Sequence, residues 1–155
     1  MRRHVLVCAA LAAATAGSAG AQAIRATDPQ GIVALLQSEG YAAKLEKTDK
    51  GDPVIRSQSS GSNFSVYFYN CDKGQNCATV QFYAGYDTDK KLSLEQINAW
   101  NQTNRFGRAY LDDEGDPNLE MDVDLDDGGM SRELFTDNFE FWTSVMAGFE
   151  KHIGW

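Results

Sequence analysis

Hydrophobic and polar residues follow two kinds of period along this 155-residue chain. Six stretches are predicted to be strands, and in three of them every second residue is apolar, which is typical of strands with one buried face. In three further stretches apolar residues recur every three or four positions, which indicates amphipathic helices. The resulting order is α-β-β-β-β-α-β-β-α. No low-complexity linker interrupts residues 24–155, so the pattern predicts a single domain there.

The three helices are predicted from their caps and apolar stripes. The first follows a cap at Thr27 or Asp28 and ends at Gly40, and the second follows Ser93. The third follows Ser131. Its stripe has the spacing of one helix face and consists of Phe135, Phe139, Trp142, Met146, Phe149 and Ile153.

Three further apolar residues, Leu134, Phe141 and Val145, widen the stripe of the last helix beyond what one sheet usually needs. Two interpretations are open. The first helix could cover this surplus, or it could form a surface for a partner or for a second copy in a homodimer. We favour cover by the first helix.

The six predicted strands include one hairpin whose register can be predicted. The predicted strands are Tyr41–Lys47, Val54–Ser59, Phe64–Tyr69, Ala78–Ala84, Arg105–Leu111 and Leu119–Leu125. If a disulfide places Cys71 opposite Cys77, the numbers of every facing pair add up to the same value, and Phe68 faces Val80. One hairpin face is then wholly apolar, so the disulfide and the pattern favour the same register.

The other face of that hairpin carries Tyr67, Tyr69 and Tyr83, which are candidates for partner binding. Tyrosine combines a large apolar ring with a polar tip, and this combination suits a recognition surface. The alternative is that a helix covers them, or that they line a half-wet sheet.

A second polar group is the asparagine set of the middle helix: Asn98, Asn101 and Asn104. These residues could form a ligand-binding array. Their amides could instead satisfy backbone groups where the helix ends and the sheet resumes, because an unmade buried hydrogen bond is costly. We favour the second interpretation.

The N-terminus has the three parts of a signal peptide. Arg2 and Arg3 precede the short apolar run Val5–Ala16, and Ala19–Ala21 fits a signal peptidase site. We therefore expect residues 1–21 to be removed, with cleavage after Ala23 as a second option. The protein is then periplasmic or secreted, with no membrane insertion after cleavage. An uncleaved N-terminal anchor is the alternative.

Export changes what the cysteines and the charge imply. Two cysteines remain in the exported chain, and an even number outside the cytoplasm predicts a disulfide between Cys71 and Cys77. Removal of Arg2 and Arg3 takes the net charge from -8 to -10. Nucleic acid and anionic membranes are therefore unsuitable partners, and a protein or peptide, especially a basic one, is favoured.

Acidic residues concentrate in a turn and on the strand that follows it. The candidate acidic surface consists of Asp112, Asp113, Glu114, Asp116, Asp122 and Asp124. Asp122, Asp124, Asp126 and Glu133 imitate a calcium loop, but Asp127 stands where the sharp turn needs glycine. We expect no metal and no other cofactor. With His152 as the one histidine after residue 21, the sequence also predicts no enzyme.

Five segments spread over most of the chain are distinctive in combination. They are Gly51–Ile55, Asn63–Cys71, Cys77–Phe82, Ile97–Asn101 and Arg105–Ala109. Together they resemble the YbjN family, which is described as regulators of bacterial sensory transduction. The resemblance implies an α+β fold like that of type III secretion chaperones, an antiparallel sheet flanked by helices. It implies no catalytic residues.

Many YbjN members lack an export signal and the cysteine pair, so this chain would be an exported variant. The function expected from these observations is a non-enzymatic domain that binds a protein or peptide, as a regulator or chaperone-like adaptor. The alternative is an acidic periplasmic inhibitor of a basic secreted enzyme.

Overall fold

A computed structural model describes residues 23–155, and the predicted signal peptide lies outside the described residues. The element order is the predicted one, and the fold is α+β. The helices are α1 Pro29–Ser38, α2 Leu94–Thr103 and α3 Arg132–Ile153. The strands are β1 Ala43–Lys47, β2 Pro53–Ser59, β3 Ser62–Tyr69, β4 Thr79–Gly85, β5 Arg108–Leu111 and β6 Pro117–Asp124.

The six strands form one antiparallel sheet in the order β1-β2-β3-β4-β6-β5. β3 and β4 pair in the predicted register, with Phe68 opposite Val80. Cys71 and Cys77 form the predicted disulfide at the end of this hairpin, with their sulfur atoms 2.12 Å apart. The agreement of a local covalent constraint with the apolar pattern fixes which hairpin face meets the core.

All three helices pack on the face of the sheet that carries Phe64, Val66 and Phe82. Phe82 stacks on Trp142 of α3, with their ring centroids 5.6 Å apart. α2 joins the same layer because Trp100 meets Phe149 of α3 edge-on, at 5.1 Å between centroids. The opposite face of the sheet is covered by no helix within residues 23–155, and we call it the open face.

Two strands of the last hairpin differ from their predicted bounds. β5 begins at Arg108 rather than Arg105, because Phe106 in the preceding loop has a positive φ of 69° that no strand allows. Gly107 then passes close to α3, where a Cβ would lie 2.5 Å from a methyl carbon of Val145. β6 begins at Pro117, two residues before the predicted start. Pro117 faces Leu111 at the end of the β5–β6 ladder.

The expectation that α1 covers the surplus apolar residues of α3 is wrong for two of them. Leu134 is 51% exposed and Phe141 is 40% exposed, whereas Val145 is partly buried. Phe141 stacks on Phe106, which is itself half exposed, with 4.5 Å between ring centroids. α1 packs instead against β1 and β2. In the part of the chain described, no helix is long and apolar enough to cross a membrane.

A candidate binding site on the open face of the sheet

In the middle of the open face lie the side chains at every second position of β3 and β4. The predicted Tyr67, Tyr69 and Tyr83 all lie on it, because their neighbours in sequence point into the core. The remaining members come from the strands on either side and include Arg56, Gln81, Arg108, Tyr110, Asn118, Glu120 and Asp122.

The three predicted tyrosines are held by neighbouring polar groups. Tyr67 and Tyr83 meet edge-on, with 5.7 Å between ring centroids. Arg56 lies 5.5 Å above the ring of Tyr67 and donates to its hydroxyl at 3.2 Å. Tyr69 is 45% exposed and donates to Gln81 Oε1 at 3.2 Å. The face therefore presents aromatic surface in fixed orientations.

A buried carboxylate lies next to these tyrosines. Glu120 is 7% exposed and pairs with the guanidinium of Arg108. It also accepts hydrogen bonds from the hydroxyl of Tyr110 at 2.9 Å and from Gln81 Nε2 at 3.4 Å. Its charge is thereby compensated, as a buried charge requires. Sequence reasoning missed this group, although the alternation of the last hairpin could have placed Glu120 and Tyr110 on the polar face.

The hydroxyls of Tyr69, Tyr83 and Tyr110 stay protonated well above neutral pH. Burial raises the pKa of Tyr69, and the charge of Glu120 raises it further. Burial raises the pKa of Tyr83 as well, with smaller contributions from Tyr67 and Asp112. For Tyr110, burial and the hydrogen bond to Glu120 raise the pKa strongly. These hydroxyls therefore act as neutral donors and acceptors.

The predicted acidic residues of the β5–β6 turn form a compact structure that we call the acidic turn, Asp112–Asp116. Asp112 Oδ1 accepts hydrogen bonds from the backbone N–H groups of Glu114, at an N–O distance of 3.0 Å, and of Asp116, at 2.9 Å. These bonds, that from Asp116 first, hold the pKa of Asp112 below its usual value. Lys91 Nζ donates to Asp116 Oδ1 and to the Glu114 carbonyl, both at 3.2 Å. Hydrogen bonds within the turn and hydrogen bonds from Lys91 thus both stabilise its conformation.

Asn118 joins the acidic turn to the tyrosines. It is 3% exposed, accepts the hydroxyl hydrogen of Tyr83 on Oδ1, and donates from Nδ2 to Asp112 Oδ2 at 3.2 Å. Nδ2 also donates to the Asp116 carbonyl at 2.9 Å. The two candidate surfaces that the sequence suggested separately are therefore one continuous surface.

A cleft of about 420 Å³ lies where these two parts meet, and we call it the acidic cleft. The strands contribute Asn63, Phe64, Ser65, Tyr83, Gly85 and Asn118. The loop after β4 and the acidic turn contribute Tyr86, Asp87, Asp112, Glu114 and Asp116. Four of the residues in this lining carry carboxylates and none is basic.

The other predicted acidic residues lie outside this cleft. Asp113 is exposed in the turn, and Asp122 accepts a hydrogen bond from Gln81 Nε2 at 2.9 Å. Asp124 accepts the backbone N–H of Asp126. Oxygen atoms of Asp112, Glu114 and Asp116 lie within 4.8 Å of one another.

Two of the three asparagines, Asn101 of α2 and Asn104 at its C-terminal cap, bond backbone groups, as the favoured interpretation expects. Asn101 Nδ2 donates to the carbonyl of Ala109, and its Oδ1 accepts the N–H of Ala109, both at 2.9 Å. Asn104 Nδ2 donates to the Trp100 carbonyl at 3.1 Å. Asn98 is exposed. Asn101 and Asn104 are therefore occupied, and a ligand-binding array is not formed.

Comparisons with known proteins bear on this chain in three ways. The model of the YbjN family, described as "putative bacterial sensory transduction regulator", matches residues 28–155. A solved structure titled "Crystal structure of YbjN, a putative transcription regulator from E. coli" superposes with a TM-score of 0.53 at 15% identity. The superposition covers 79% of this chain and 91% of that one, and it shows a shared fold. No match was found among curated proteins.

Proposed function

This chain belongs to the YbjN family, and from that premise we propose that it is a non-enzymatic regulator or adaptor that binds a protein or peptide partner on its open face. The observation that carries the proposal is the concentration of aromatic and hydrogen-bonding side chains on the one sheet face that no helix within residues 23–155 covers.

The energetics of recognition favour this face. Tyrosines with few rotatable bonds lose little entropy on binding and bury much apolar surface, and they are therefore common at interface hot spots. Tyr67 and Tyr83 are already ordered by each other, by Arg56 and by Asn118. Tyr69 adds an exposed ring next to them. A partner would therefore meet a largely preformed surface.

The proposal of a non-enzymatic role rests on the family's regulatory description and on the placement of the titratable groups. The ring of His152 lies at the end of α3, with Nε2 3.0 Å from the carbonyl of Gln96 and beside the ring of Trp100. This contact is on the helical side of the sheet, away from Glu120 and the acidic turn. A general base and the carboxylates are thus on different faces.

The proposal includes export to the periplasm or medium with loss of residues 1–21. Ile24 exchanges two backbone hydrogen bonds with Met130, at 2.8 and 3.0 Å. Cleavage after Ala21 keeps both residues of this bridge and leaves Gln22 and Ala23 in front of Ile24. The intact mass of the protein from the periplasmic fraction tests the point. A chain starting at Gln22 is expected, whereas a full-length chain there would contradict cleavage.

The binding proposal is tested by comparing partners captured from periplasmic extract. Tyr67→Ser/Tyr69→Ser removes two rings from the open face, and we expect it to reduce capture of a wild-type partner at least about tenfold, as loss of hot-spot residues does. The matched control is Leu134→Ser/Phe141→Ser, which removes exposed apolar groups from α3 instead. We expect this control to keep the partner.

If wild type and Tyr67→Ser/Tyr69→Ser capture the same partners in the same amounts, the open-face proposal is refuted. Loss in the Leu134→Ser/Phe141→Ser control alone would move the binding surface to α3. The acidic inhibitor of a basic secreted enzyme remains the second candidate function, and the four carboxylates around the acidic cleft favour it. It differs in predicting inhibition that weakens steeply as salt rises.

A further inference from the structure

The outer edge of β1 is an unpaired edge of the sheet. β1 pairs with β2 on one side, and within residues 23–155 no strand pairs with its other side. The backbone groups along such an edge can pair with another strand. The opposite edge of the sheet differs, because the side chain of Asn101 on α2 bonds both backbone groups of Ala109 on β5.

Alternate residues of β1 direct their backbone groups to this edge. The carbonyl of Ala42 accepts a hydrogen bond from Ser57 of β2 at 2.6 Å, whereas that of Ala43 accepts one from Gln37 of α1 at 3.0 Å. Successive residues of a strand direct their backbone groups to opposite sides. The even-numbered residues of β1 therefore face β2, and the backbone groups of the odd-numbered residues, including Leu45, face outward.

An antiparallel pairing of two β1 strands about Leu45 would use these outward groups. In this register Leu45 lies opposite Leu45 of a second copy, and Ala43 lies opposite Lys47. All three residues are odd-numbered, so their N–H and C=O groups meet as hydrogen-bonded pairs. Leu45 is 37% exposed and lies on the helical face of the sheet opposite Ile55, and the pairing would cover part of its side chain.

The charges on β1 fit the same register. Lys44 lies opposite Glu46 of the second copy, and the two-fold symmetry repeats this pair. Opposite charges that face each other across antiparallel strands stabilise the pairing. Lysines on an edge strand normally oppose such pairing. Here Glu46 compensates the charge of Lys44, so the strand is complementary to a second copy of itself.

The helix beside this edge is also suited to a second copy. α1 packs against β1 and β2, so two α1 helices would lie about 10 Å apart, at two strand spacings, which is close to the usual distance between packed helices. α1 contains no charged residue, and Gln30, Ala34 and Gln37 form an exposed stripe on it. Two copies therefore bring no like charges together on this helix, although the chain carries a net charge of -8.

From this geometry we infer that the β1 edge joins two copies of the chain in a symmetric dimer. The two sheets become one continuous sheet, and both open faces lie on the same side of it. The inference goes beyond the proposed function, because it concerns a different surface and does not depend on what the open face binds. A partner with two binding segments would meet both open faces at once.

The dimer is tested by sedimentation equilibrium of the exported protein over a wide range of concentrations. We expect the apparent mass to rise with concentration from one chain to two. Lys44→Glu should weaken dimerisation at least about tenfold, because it sets a carboxylate opposite Glu46 on both sides of the two-fold axis. Lys73→Glu in the β3–β4 loop changes the net charge equally and should alter dimerisation less than about twofold.

An exchange of charges tests the register itself. Glu46→Lys sets two ammonium groups opposite each other and should also weaken dimerisation at least about tenfold. A mixture of the Lys44→Glu and Glu46→Lys proteins should form a heterodimer, because each facing pair then has opposite charges. The double variant Lys44→Glu/Glu46→Lys should dimerise like wild type for the same reason, which separates a lost contact from a misfolded variant.

Several results would overturn the inference. Wild type that stays monomeric at every concentration would do so, and so would single variants that dimerise like wild type or are rescued neither by mixing nor by the double exchange. Loss of the dimer in Leu134→Ser/Phe141→Ser instead would show that copies meet through α3. If wild type is monomeric and Leu45→Lys loses a partner captured from periplasmic extract, a strand of another protein pairs with β1, and the dimer is refuted.

Discussion

At the scale of single residues, the amide side chains of Asn101 and Asn118 organise the molecule. Asn101 completes both backbone hydrogen bonds of Ala109, so the outer edge of β5 is closed by a helix side chain at that position. Asn118 links Tyr83 to the acidic turn. The first role could be predicted, because an asparagine on an apolar helix face needs partners. The second could not, because Asn118 fell between the predicted turn and the predicted strand.

Asn101→Ala is expected to lower the free energy of unfolding by about 2 kcal/mol, since it removes two hydrogen bonds and leaves backbone groups of β5 unpaired. Urea denaturation followed by circular dichroism measures this change. Asn98→Ala is the matched control on the same helix, and it should leave the stability nearly unchanged because, within the described residues, the Asn98 side chain forms no hydrogen bond whereas that of Asn101 forms two. Equal effects of the two substitutions would contradict the role given to Asn101.

At the scale of elements, the β3–β4 hairpin was the most predictable part of the fold. Its register follows from two independent constraints, the cysteine pair and the apolar alternation. The start of β5 was less predictable, because nothing in the sequence marks the left-handed conformation of Phe106. The exposed side of α3 was also mispredicted, since the width of an apolar stripe does not tell which neighbour covers it.

The disulfide is expected to act as a small structural clip on this hairpin. Because it closes a short loop, Cys71→Ala/Cys77→Ala should reduce the free energy of unfolding by only about 2 kcal/mol and leave the fold intact. Urea denaturation of the oxidised wild type beside the variant measures the difference. A variant that fails to fold, or free thiols in the exported wild type, would contradict this account.

At the scale of the whole molecule, all three helices lie on one face of the sheet, and within residues 23–155 no helix covers the other face. The sequence predicted a sheet flanked by helices, and the order of the elements was right. It could not assign the helices to one side, because periodicity shows that a helix has a buried face without showing where that face docks. The continuity between the tyrosines and the acidic turn is a property of the tertiary structure alone.

The exposed aromatic pair of Phe106 and Phe141 is a second surface that can be compared with the open face. Both the open face and the outer side of α3 present aromatic rings, and Tyr69 and Phe141 are similarly exposed, at 45% and 40%. They lie on opposite sides of the molecule. A probe placed at each position therefore samples the two candidate surfaces under equal conditions.

The most direct test is photo-crosslinking in the native bacterium, with p-benzoylphenylalanine in place of Tyr69 in one strain and of Phe141 in another. We predict that the probe at position 69 forms a crosslink to a discrete partner protein and that the probe at position 141 does not. A crosslink from position 141 alone, or none from position 69 while the partner is still captured from extract, would contradict the assignment of the open face as the binding surface.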